Sequence, residues 1–120
     1  MNALQLFDTI ASEMGYCDLM NTGRYIQYIK KKRVIRLCLM NVFNLRLLEI
    51  ENVCKKYEGF GHSNLINDKK VLENAKFTKD TEFLNLYAKA IKVSKKIKQN
   101  IKEESKRFDF DELEQLIEIQ

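Results

Sequence analysis

The sequence predicts an all-α fold, and three observations carry that prediction. No proline and only four glycines occur in 120 residues, so little interrupts helical backbone. Apolar residues recur at three- and four-residue spacing over most of the chain, where strands would alternate. At 45% apolar and 32% charged, the chain can bury one core and solvate the outside of its helices. The expectation is a compact multi-helix domain of six or seven helices over residues 1–107, followed by an acidic segment at 108–120.

Leu4, Leu6, Phe7, Ile10 and Met14 share a helical face, and Gly15 is a natural stop. Thr22-Gly23 is a break from which a second helix can carry Tyr25, Tyr28 and Ile29. Lys30-Lys31-Lys32-Arg33 leads into an apolar run from Val34 to Leu48, too long for a strand and read as a mostly buried helix. Glu49 to Tyr57 is a short helix with Ile50, Val53 and Cys54 inward. Glu58-Gly59-Phe60-Gly61 then permits a tight turn before a helix from about His62 to Lys76.

Thr78 or Asp80 can cap the next helix, which has the strongest pattern in the chain. Phe83, Tyr87, Ala90, Ser94, Ile97 and Ile101 are spaced 4, 3, 4, 3, 4, with Lys89, Lys92, Lys95, Lys96 and Lys102 on the other side. This long amphipathic helix can pack on the chain's own core or serve as the seam of a homodimer through 83–101. Phe108 to Gln120 reads as a separate short acidic helix, capped by Asp109 or Asp111, with Leu113, Leu116 and Ile117 on one side.

Charge is segregated along the chain. Residues 30–57 hold eight Lys/Arg against two Asp/Glu, and 58–107 hold twelve against seven. The ends are acidic: one base against three acids in 1–29, and none against five in 108–120. A basic middle of this kind suits a polyanion, although lysine-rich helices also simply solvate themselves. A supporting helix, a short helix, a glycine turn and a helix opening His62-Ser63-Asn64 follow the helix-turn-helix order. On a helical wheel Ser63, Asn67, Lys70 and Asn74 lie about 140–200° from Leu65, a stripe without carboxylates that a phosphate-lined groove tolerates. The same wheel sets Asp68 at about 300° and Glu73 at about 80°, both away from the centre of that stripe.

From Lys30 to about Asn74 the chain resembles the C-terminal DNA-binding domain of the bacterial replication initiator DnaA, a Trp-repressor-like helix-turn-helix. That family reads L-P-E-I-G-x-x-F and then G-G-R-D-H-T-T-V; here Ile50 to Tyr57 and Glu58 to Leu65 align without a gap. His62, Gly59 and the apolar positions match, and Tyr57 and Ser63 are conservative replacements. Phe60-Gly61 replaces the family's Arg-Asp, Asn64 its second threonine, and Cys54 a glycine. No G-x-x-x-x-G-K-[ST] is present, so a relative would be a free-standing binding module.

The resemblance implies that His62 and Ser63 offer hydrogen bonds to base edges, and that Lys31, Lys32 and Arg33 match a basic loop contacting backbone and minor groove. Asn64 and Asn67 have amides suited to adenine, while Lys55, Lys56, Lys69 and Lys70 are candidate phosphate contacts. The plainer reading of each is a helix cap or a solvated lysine.

The leading expectation is therefore a non-enzymatic regulator or replication or mobile-element accessory that binds double-stranded DNA. The alternative is a protein-interaction module that keeps the fold without DNA reading and docks through 108–120. The acidic segment could also fold back over the basic face. No nucleophile–base pair is evident, so no enzyme is expected, and one histidine with scattered thiols implies no metal or other cofactor. Cys17, Cys38 and Cys54 read as small buried hydrophobes in reduced form. With no basic leader and no long uncharged apolar stretch, a cytoplasmic location without membrane contact is expected.

Overall fold

The first helix starts where the sequence can satisfy its own orphan donors. Asn2 and Gln5 form a reciprocal capping box, each side chain accepting the other's backbone N–H at 2.9 Å. A computed structural model describes the backbone of residues 1–23 and 25–119, and the side chains of 1–23 and 25–104. It contains α1 (Ala3–Glu13), a 3-10 turn (Leu19–Asn21), α2 (Ile26–Asn41), α3 (Leu47–Cys54), α4 (His62–Thr78) and α5 (Thr81–Ile119). No strand occurs among the described residues, so the fold is all-α.

Helix α2 is the central element. Val34, Ile35, Leu37, Cys38 and Leu39 are fully buried, and α1, α4 and α5 all pack against it. It absorbs two of the expected helices because nothing between Tyr25 and Asn41 breaks a helix, and Lys30–Arg33 are good helix formers. It also stops earlier than Leu48. The chain turns at Val42–Arg46, where Asn44 takes a left-handed conformation (φ 55°), and Lys98 Nζ donates to the Val42 carbonyl at 2.9 Å.

The α3–α4 connection is folded onto this centre by Phe60. Its ring is fully buried and meets Phe7 of α1 edge-on, at 5.2 Å between centroids. Lys79 closes α4 in a left-handed conformation, and Asp80 rather than Thr78 caps α5, accepting the Phe83 N–H at 3.3 Å.

Helix α5 uses the predicted seam on the chain's own core. Phe83, Ala90, Ser94 and Ile97 are buried, Tyr87 and Ile101 partly so. Tyr87 accepts from the Asn41 amide at 2.9 Å, and α5 packs on α1, α2 and α4. The 83–101 seam therefore packs within the chain, the first of the two uses its spacing allows. A correction concerns the acidic end. Thr81–Ile119 is one unbroken helix of 39 residues, since it holds neither glycine nor proline, so 108–119 continues α5 and does not fold back. The expected face of Leu113, Leu116 and Ile117 lies outside the described side chains. Among the described residues five α-helices result where six or seven were expected.

Candidate nucleic-acid interface

The exposed side of α4 carries most of the residues singled out above. His62, Ser63, Asn64, Asn67 and Lys70 are all exposed, as are Lys69 and Asn74. The wheel explains why: Leu65, Leu72 and Ala75 are buried, so Ser63, Asn67, Lys70 and Asn74 must face out. Lys55 and Lys56 are exposed in the α3–α4 connection, with the Lys56 ammonium 5.1 Å from the Tyr57 ring centroid. Two large apolar residues of α4 lie uncovered beside the stripe, Ile66 and the more exposed Phe77.

The histidine is not isolated. Glu51 of α3 places a carboxylate oxygen 3.7 Å from His62 Nδ1, too long for a hydrogen bond. A base-reading role for His62 therefore competes with this carboxylate.

The basic tetrad departs from expectation most. Lys30–Arg33 are not a loop; they lie inside α2. Lys31 is half-buried, its ammonium 4.5 Å from the Tyr16 ring centroid and 5.5 Å from that of Tyr28. Lys32 is only 4% exposed and donates from Nζ to the Gly23 carbonyl at 2.8 Å. Burial, then the Arg36 charge, pushes its pKa down, with Glu58 opposing. Arg33 turns inward and donates from Nε to Asp68 Oδ1 at 2.9 Å. Lys32 and Arg33 are therefore corrected from outward DNA contacts to inward-facing groups, because α2 puts both on the face that packs towards α4.

The residue whose role sequence reasoning did not reveal is Asp68. It is fully buried and accepts from Arg36 as well, Nε to Oδ2 at 2.6 Å and Nη2 to Oδ1 at 2.9 Å. Arg36 is itself 5% exposed, with its guanidinium carbon 5.5 Å from the Phe60 ring centroid. The signal was in the spacing: Leu65, Asp68, Leu72 and Ala75 follow 3, 4, 3, which makes Asp68 a core position occupied by a charge. Its partners obey the same rule, since Ile29, Lys32, Arg33 and Arg36 form one face of α2 at i, i+3, i+4 and i+7.

Gly59 fits against this network. It has φ +88°, and a Cβ there would stand 2.7 Å from Arg36 Nη1. Between α2 and the α3–α4 connection a cleft of about 320 Å³ remains, walled by Ile29, Lys32, Arg33 and Arg36, with Gly59 and Asn64 opposite and Glu58 also lining it.

Cys38 and Cys54 are buried, and burial raises both thiols to about 11; Cys17 is exposed, contrary to the expectation for it. Among the described residues no group of three or more His, Cys, Asp or Glu could hold a metal, and no helix is long and apolar enough to cross a membrane. No protein-family model, curated protein or solved structure matches the chain.

Proposed function

We propose that this chain is a small DNA-binding protein of the DnaA-domain, helix-turn-helix type. One observation carries the reading: the exposed stripe of Ser63, Asn67, Lys70 and Asn74 on α4 contains no carboxylate, Glu73 standing to one side of it, and Lys55, Lys56 and Lys69 are exposed as well. In this reading α4 enters the major groove. Asn67 and Ser63 supply side chains for base edges, and the lysines position the protein on phosphates. Asn64 contributes from the cleft side of the helix and His62 from its first turn. Lys31 and the inward Lys32 and Arg33 are support and not groove contacts.

The test is fluorescence anisotropy of a pooled random-sequence duplex titrated at several salt concentrations, with a Lys55→Glu/Lys70→Glu variant beside the natural chain. Neutralising about six phosphates gives a slope of log affinity against log salt near −5. Affinity independent of salt, or unchanged in the variant, refutes the reading. Absence of binding at low salt would leave the acidic 108–120 segment, with its five carboxylates, as the place to look for a protein partner.

A further inference from the structure

We infer that the cleft between α2 and the α3–α4 connection is a binding site for a phosphate-class anion, held by Lys32, Arg33 and Arg36 with the Asn64 amide at its rim.

The argument begins with one helical face. Ile29, Lys32, Arg33 and Arg36 all line the cleft, so α2 aims three cations into a space of about 320 Å³. Two of these side chains are nearly inaccessible: Lys32 is 4% exposed and Arg36 5%. Two carboxylates, Asp68 and Glu58, stand among three cations, so the group keeps an excess positive charge in a partly desolvated place. Uncompensated buried charge is unfavourable, and an anion is what would relieve it.

Donor geometry agrees. Asp68 takes Nε of Arg33 and both Nε and Nη2 of Arg36. Each guanidinium presents five N–H groups in a fixed fork, so both keep donors beyond those bonds. The Lys32 ammonium has three protons, and the Gly23 carbonyl accepts one. Gly59 lets the connection pass close against the Arg36 fork, with no room for a side chain between them. Planar forks beside an ammonium suit the oxygens of a tetrahedral oxyanion. The depressed pKa of Lys32 is consistent, because a bound anion would favour its charged form.

Two sources share this chemistry: a free phosphate monoester or inorganic phosphate, and a phosphodiester of a nucleic-acid backbone. The inference stands apart from the DNA reading, since inorganic phosphate tests it directly. The experiment is ¹H–¹⁵N NMR of the full chain, titrated with sodium phosphate and, at matched ionic strength, with sodium chloride. Saturable shifts of the Gly59 and Asn64 amides and the Arg33 and Arg36 Nε–H signals, seen with phosphate and not with chloride, are expected. Lys32→Met should weaken phosphate binding about tenfold, as loss of one charge-assisted contact would. Arg33→Gln, at a more accessible side chain, is the second variant should Lys32→Met fold poorly. Shifts equal in both salts, or saturable shifts confined to other surfaces, overturn the inference.

Anisotropy with DNA then separates the sources. Parallel loss of phosphate and DNA affinity in Lys32→Met assigns the cleft to a backbone phosphate. Loss of phosphate alone assigns it to a small phosphorylated ligand, an outcome that stands even if the natural chain binds no DNA.

Discussion

Arg36 and Asp68, 32 residues apart in sequence, meet in a bidentate pair with both side chains buried, at 2.6 and 2.9 Å. The pair joins the central helix to the helix that carries the candidate interface. Phe60 lies against the guanidinium and Phe7 against Phe60, so α1, α2, the α3–α4 connection and α4 share one node. Because the pair is buried, its worth depends on keeping both partners.

Removing one partner should therefore cost more than removing both. Asp68→Asn leaves the Arg36 charge buried without its counter-ion and should destabilise the fold by about 3–5 kcal/mol. Arg36→Met/Asp68→Leu removes the charges together and should be much closer to neutral, Arg33 turning to solvent. Urea denaturation with the midpoint and slope compared across the series is the check. Equal losses for single and double variants would contradict it.

Gly59 and Gly15 make a matched pair for the α3–α4 connection. Both have positive φ, +88° and +83°, but a Cβ at Gly15 meets nothing within 4 Å, whereas at Gly59 it meets Arg36. Gly15→Ala should cost about 1 kcal/mol, the backbone term alone. Gly59→Ala should cost roughly 2–3 kcal/mol and displace the Arg36 guanidinium, seen as a shifted Nε–H resonance.

The thiols predict an alkaline limit. Cys38 and Cys54 are raised from 9.0 to about 11 by burial, so the folded chain keeps protons that the unfolded chain surrenders. Their contribution is intact below pH 9 and is lost as pH climbs towards 11, by roughly 2–3 kcal/mol per thiol. Tyr16 and Tyr87, also raised by burial, add to the loss at its upper end. Unfolding free energy measured between pH 8 and 11 should fall accordingly, and less in Cys38→Ala. In native buffer an aromatic disulfide reagent should titrate Cys17 alone, and all three thiols only in denaturant.

The interface should separate from the scaffold by its response to charge reversal. Lys55→Glu/Lys70→Glu alters exposed side chains and should lower DNA affinity at least tenfold with stability within about 0.5 kcal/mol of the natural chain. Arg33→Gln should instead lower stability, by about 1–2 kcal/mol, through its bond to Asp68. Melting curves beside the anisotropy titrations distinguish the two effects.

Local pattern by itself determined the helical class, the buried run in α2 and the inward seam of α5, where Phe83, Ala90, Ser94 and Ile97 are buried as their spacing requires. These follow from periodicity, which any stretch of chain carries within itself. Helix α4 was legible for the same reason, and so was its outward stripe. What the tertiary structure alone decided is the destination of charge. Lys32 and Arg33 look like surface residues in a basic run, and Asp68 like an acid that merely stays off the outward stripe of α4. Only packing of α2 on α4 sets Arg33 and Arg36 across from Asp68 and closes the cleft over Lys32. A charge can lie inward only when a partner distant in sequence is there to meet it, and the spacing within one helix does not contain that partner.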